Sequence, residues 1–144
     1  MNLIEEPITE ILNLIPQKHP FVMVGALVLF NETEVVSSYR IKDSNVFYDG
    51  SVFTETGLIE NMAQTVALHT GFDFFIKKKQ APIGYIGSIK KVSITVLPLL
   101  NELITTKATI LHEFMGVTMV SIQVFNAANE EIASSEMKTI IANQ

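Results

Sequence analysis

The segment GLIENMAQTVALH, residues 57–69, decides how this chain can fold. Leu58, Ile59, Met62, Ala63, Val66, Ala67 and Leu68 place apolar side chains on nearly every side of a helix, which predicts a helix buried all round. Glu60 is set into that helix. A lone carboxylate costs several kcal/mol in apolar surroundings, so such a group is normally paired, protonated or put to use. Gln64 follows one turn later, about 40° round the helix axis, and shares a face with Glu60. An ordinary solvent-facing glutamate is the plainer reading of the same residue, because single glutamates on helices are common.

Outward from this segment, Thr54 stands where an N-cap belongs, and the helix is expected to run to about Ile76, about 33 Å, with Gly71 as its weak point. Upstream, PITEILNLI (Pro7 to Ile15) has the apolar spacing of a short amphipathic helix. The continuous apolar run Phe21 to Phe30 predicts a buried strand, and Glu34 to Ile41 a second one. Downstream, Ile83–Val96, Leu103–Phe114, Val117–Phe125 and Ile132–Ile141 are rich in β-branched residues and read as four strands. Short connections between them predict an antiparallel meander. One sheet of this size buries a single helix only by curling around it. The expected architecture is therefore α+β, a curved antiparallel sheet wrapped around a long central helix, as one domain over residues 1–144.

Composition removes several function classes. Hydrophobic residues make up 48% of the chain and charged residues only 17%, a surplus that predicts a helix buried on all sides or a surface that pairs with another subunit. No window approaches 18 uninterrupted apolar residues, and MNLIEEPITE lacks the features of a signal peptide, so a soluble, cytoplasmic protein without membrane insertion is expected. The absence of cysteine excludes disulfides, thiolate metal sites and a cysteine nucleophile. His19, His69 and His112 are scattered without metal-ligand spacing, so no metal site is expected. A net charge of −5 with ten basic residues argues against nucleic acid as a partner. Lys77 to Lys79 read as cations at a helix C-terminus, with a docking patch for an acidic partner as the alternative.

Three segments together resemble the hotdog fold, and within it the 3-hydroxyacyl-[acyl-carrier-protein] dehydratases: IPQKHPFVMV, LIENMAQTVALHTG and YIGSIKKVSITVLPLLNEL. The second is similar to that family's helix signature E-A-M-A-Q. The resemblance implies a dimer, an acyl thioester substrate carried by acyl-carrier protein or coenzyme A, and no cofactor. It further implies that Glu60 is the catalytic carboxylate and Gln64 the signature glutamine. The backbone N–H of Glu55 at the helix start would polarise the thioester carbonyl, Gly57 would allow close approach of the acyl chain, and Phe47 and Phe21 would line the substrate path.

The chain departs from the family pattern at the base. The catalytic histidine is expected fourteen residues before the carboxylate, and that position is Val46; Phe47 and Val52 keep the register. In this form, F-x-D-G followed by E-x-M-A-Q, the chain resembles a subgroup associated with aryl-polyene-type pigment pathways. Three readings stand open. His19 in KHPF replaces the base, since an imidazole exchanges protons near neutral pH, although a structural loop histidine is the plainer account of it. Alternatively the chain is one half of a heterodimer whose paralogous hotdog subunit supplies the histidine, in place of a homodimer. In the third reading it binds acyl chains or a partner without catalysis. A hotdog acyl thioesterase, which needs only the helix carboxylate, is the rival enzyme class.

Overall fold

The computed structural model describes residues 1–141. Helix α1 spans Glu55–Ile76, and Leu58, Met62 and Leu68 on it are fully buried. Six strands curl around it: β1 Ala26–Phe30, β2 Glu34–Arg40, β3 Gly84–Ile94, β4 Leu103–Phe114, β5 Val117–Phe125 and β6 Glu131–Ile141. They form one sheet in the order β1-β2-β4-β5-β6-β3, with every neighbouring pair antiparallel. This is the curved sheet on a single helix of the hotdog fold. On β5 the alternation is plain: Val120, Ile122 and Val124 point into the core and are buried, while the residues between them face outward. Burying each such side chain contributes about 1.5–3 kcal/mol.

Five expectations need correction. The last four strands are not a meander in chain order, because β3 pairs with β6 and β4 pairs with β2. Residues 95–102 carry the chain back past the segment entering α1, where Pro98 O accepts the Phe53 N–H at 2.8 Å and Val52 bridges Leu99. The β1–β2 hairpin formed before the helix offers an open edge on β2, and β4 completes it. Residues 7–15 form no helix. Ile8 and Leu27 instead exchange two backbone hydrogen bonds at 2.8 Å across the free edge of β1. Ile11, Leu14 and Ile15 are buried all the same, so the apolar spacing marked the core face and not the conformation.

The apolar run from Phe21 becomes a strand only at Ala26. Before that, the Met23 N–H donates to Gln64 Oε1 and the Met23 carbonyl accepts from Asn61 Nδ2, both at 2.7 Å. Side chains of α1 thus take the hydrogen bonds that a neighbouring strand would have made. Thr54 occupies the N-cap position, but its hydroxyl donates to Phe47 O at 2.8 Å and caps nothing. Gly71 is a close contact and not a weak point: a Cβ there would lie 1.7 Å from the Leu14 carbonyl oxygen. The β4–β5 hairpin closes through Met115 and Gly116, both at positive φ (52° and 79°), a two-residue turn that matches the strand twist.

Candidate active site

Glu60 is half-buried on α1, and its Oε1 accepts a hydrogen bond from Gln64 Nε2 at 3.0 Å. The same Nε2 donates to Phe21 O at 2.8 Å, while Gln64 Oε1 accepts from the Met23 N–H. Gln64 is fully buried and spends both ends of its amide. It holds the carboxylate on one side and the 21–23 segment on the other.

Beneath this pair lies a polar network that the sequence reading did not single out. Asn61 Nδ2 donates to Met23 O, and Thr106 Oγ1 on β4 donates to Asn61 Oδ1 at 2.6 Å. Thr65 Oγ1 lies 2.8 Å from Asn61 O and 2.7 Å from Ser37 Oγ on β2. Asn61, Thr65, Thr106 and Ser37 are all without exposed surface. The network fixes the rotation of α1 against β2 and β4, and hence the direction in which Glu60 points. Its signal in the sequence was Asn61 itself, a polar residue directly beside Glu60 on a helix whose surface is mostly apolar. Replacing Asn61 with Ala would leave the Thr106 hydroxyl and the Met23 carbonyl buried without partners. The expected result is a loss of about 2–6 kcal/mol in urea unfolding, at roughly 1–3 kcal/mol for each of the two orphaned groups. A loss below about 0.5 kcal/mol would contradict this role for the network.

Glu60 opens onto a cleft of about 380 Å³. Ala63, Val66, Ala67 and Thr70 of α1 line one wall, Leu14 to Gln17 another, and Gly84 to Ile86 of β3 the third. Gln17 carries a buried side-chain oxygen without a hydrogen-bond partner, a point at which a ligand donor would be satisfied. This second glutamine was also missed, because nothing in PQKHP distinguishes it from an ordinary loop residue.

The other expected site residues are dispersed. His19 is exposed and lines a different cleft, with Tyr39 and Arg40. Val46 is 46% exposed in the loop before α1, and Phe47, half-buried, packs against the core. Phe21 is exposed and reaches Gln64 through its backbone carbonyl. Gly57 is buried, and the Phe53 ring of the same chain fills the space beside it, since a Cβ there would meet that ring at 2.5 Å. The close approach at Gly57 is therefore made by Phe53. The Glu55 N–H precedes the first backbone bond of α1, donated by Leu58 N–H to Thr54 O at 3.0 Å, and Thr54 supplies no cap. The helix start thus offers free donors beside its positive dipole end, outside the lining of the Glu60 cleft. His69 bonds Asn31 O through Nε2 at 2.8 Å and stacks on Phe30, while His112 stacks on Phe114. No histidine lines the Glu60 cleft. Among the described residues no group of side chains has the arrangement of a metal site, and no helix is long and apolar enough to cross a membrane.

The loop that carries Val46 is fastened by Asp49. Its Oδ1 accepts the N–H groups of Ser51 and Val52, each at 2.8 Å, and these bonds hold the carboxyl below the usual aspartate range. The charged form is the bonded one. Its contribution is present above the ordinary aspartate range and lost as pH falls through the lowered folded value. Protection of the Ser51 and Val52 amides, taken relative to their intrinsic exchange rates, should fall on acidification only below that ordinary range, and in Asp49→Ala it should be lost already at neutral pH.

A family model described as ApeP-like, ApeP dehydratase, matches residues 9–143. No curated protein matches the chain. Among solved structures, the dehydratase heterocomplex ApeI:P from Xenorhabdus doucetiae superposes with a TM-score of 0.78 at 14% identity, over 92% of this chain and 90% of that one. A hypothetical thioesterase with coenzyme A from Streptococcus pneumoniae gives 0.61 at 9% identity, over 82% and 85%. The protein smu.793 from Streptococcus mutans, bound to acetyl CoA, gives 0.62 at 10% identity, over 82% and 88%. At these identities the likeness is one of fold.

Proposed function

The chain belongs to the ApeP-like dehydratase family, and from that premise we propose that it is a dehydratase subunit acting on a 3-hydroxyacyl thioester, completed by a second hotdog subunit. The carrier is acyl-carrier protein or coenzyme A. An imidazole of the partner removes the C2 proton. The Glu60 carboxyl group assists departure of the C3 hydroxyl as water, and the C2–C3 double bond forms. A free N–H at a helix start polarises the thioester carbonyl.

The observation that carries this reading is the placement of Glu60. It is held by Gln64 in a cleft walled by the edge strand β3, with no imidazole in that cleft. One chain gathers the carboxylate and Gln64 and leaves the helix-start donors, Val46 and His19 elsewhere. A second subunit is the economical way to bring such groups together. β3 offers the place for it, because among the described strands it hydrogen-bonds only to β6 and carries exposed Tyr85, Ile86, Ile89 and Val92 on its 11 residues. A long apolar free edge is a pairing surface, and a partner strand there would cover the wall of the Glu60 cleft.

The test uses a 3-hydroxybutyryl or crotonyl thioester. The chain by itself should show little turnover, and addition of a hotdog paralogue with the loop histidine should produce dehydration and hydration. Activity in the pure chain that His19→Ala removes without unfolding would replace the partner base with His19. Thioester hydrolysis that needs Glu60 but not His19 would move the chain to the thioesterases. Acyl binding without turnover under all conditions would make it a non-catalytic subunit.

A further inference from the structure

On the side of the fold away from β3, a cleft of about 630 Å³ lies between residues 9–12, the 19–25 segment and the end of β2. Nothing in the reaction above uses it. Arg40, the only arginine of the chain, lines this cleft together with Lys42 and His19, against one carboxylate, Glu10. The ion pairs among the described residues are Lys77–Asp73, Lys91–Glu136 and Lys107–Glu34, so these three cationic or potentially cationic groups have no carboxylate partner. In a chain of net charge −5 this is an unexpected place for unpaired cations to collect. Arg40 is anchored through Nη1 to Asn101 O at 2.8 Å, which leaves most of its donors unspent.

A second observation points to a ligand. Tyr39 lines the same cleft and is 7% exposed. Its hydroxyl oxygen accepts from Asn45 Nδ2 at 2.6 Å. The amide nitrogen and not its oxygen faces the phenol, because Asn45 Oδ1 is turned to the Phe47 N–H, which it accepts at 2.8 Å. Among the described residues the buried Tyr39 O–H donates to no acceptor. Burial pushes the phenol up, so the proton stays on it well above neutral pH. Leu12, Val22, Val24 and Leu103 give the cleft an apolar floor.

We propose that this cleft is a second ligand site of the protein, for an amphiphile with an oxyanion head, carboxylate or phosphate ester. The head is held by Arg40 and Lys42 and accepts the Tyr39 O–H, and the apolar body lies on Val22 and Leu103. A planar guanidinium and an unspent hydroxyl donor suit an anion with several acceptor oxygens, and Glu10 disfavours a second negative group at the far end. The proposal does not depend on Glu60 being catalytic.

The experiment titrates the full chain with octyl phosphate, octanoate and octanol and follows backbone amide signals by NMR. The two anions, or one of them, should shift signals over Ser38–Asn45, and octanol should not; which anion binds more tightly identifies the head. Arg40→Gln should weaken binding about tenfold and Tyr39→Phe several-fold, as expected for hydrogen bonds to a charged group. Glu60→Gln should leave it unchanged. Lys42→Gln serves as a second variant should Arg40→Gln perturb the fold. Absence of shifts at millimolar anion overturns the proposal. So do shifts centred on Ala63–Thr70 in the Glu60 cleft, equal binding of octanol, or insensitivity to both cation variants.

Discussion

Glu60→Gln in this chain, assayed together with a histidine-bearing hotdog subunit, is expected to lower kcat for dehydration of a 3-hydroxybutyryl thioester by about 10²–10⁴-fold, the usual contribution of a positioned acid–base group. The substitution is close to isosteric, and the new amide oxygen can still accept from Gln64 Nε2, so the packing of α1 and the 21–23 segment should survive. Unchanged thermal unfolding would separate loss of chemistry from loss of fold. KM should move little, because in the proposed reaction the acyl chain would lie on the apolar walls of the cleft and not on the carboxylate. Residual activity within a factor of about two of the parent would remove Glu60 from the reaction, since a group that transfers a proton cannot be replaced by an amide at so small a cost. Val46→His in the pure chain is the reciprocal test. Val46 is exposed, so an imidazole fits there without repacking, and turnover gained without a partner would show that two copies of this chain can form the site.

Gly71→Ala is expected to be the most destabilising single methyl addition in the protein, at about 3 kcal/mol, the upper end of overpacking costs. In an exposed helix the same change would stabilise by about 0.5–1 kcal/mol. Here the added carbon would sit 1.7 Å from the Leu14 carbonyl oxygen and 2.7 Å from its carbonyl carbon. Backbone cannot swing aside as a side-chain end can. The 11–15 segment must lift off α1, and Ile11, Leu14 and Ile15 lose part of their burial. Thermal unfolding should show a fall in Tm of roughly 10 °C. Gly87→Ala is the comparison, because its new carbon comes closest to the flexible end of the exposed Ile140 side chain, Cδ1 at 2.7 Å and Cγ1 at 3.2 Å, and meets backbone only at an ordinary 3.5 Å, at the Lys138 carbonyl oxygen. Equal effects from the two substitutions would contradict the close approach of the N-terminal segment. Leu14, Ile15 and Gly71 also line the Glu60 cleft, so the surviving folded fraction of Gly71→Ala should bind acyl thioesters more weakly.

Local pattern carried the reading wherever one segment's own chemistry decides its state. The helix at 55–76 was legible because an apolar surface on every side admits no other placement than inside a sheet. The strands at 103–114 and 117–125 were legible because runs rich in β-branched residues, separated by short breaks, are local properties. The pairing of Glu60 with Gln64 followed from helical spacing alone. Residues 7–15 and 21–25 misled because their state depends on partners distant in sequence. Ile8 found the free edge of β1, and Met23 found Asn61 and Gln64.

By itself, then, the sequence determined the class of the fold, the buried helix, the strand positions after it and the one carboxylate set into its apolar surface, all properties of period and composition within some twenty residues. Only the tertiary structure decided the strand order, the fastening of the 21–23 segment to the helix, the Asn61 network and the separation of Glu60 from His19 into different clefts. Each of these is set by which hydrogen-bonding edge or orphaned polar group is left open once the rest of the chain has packed. That competition is settled between residues tens of positions apart, where no local pattern reports it.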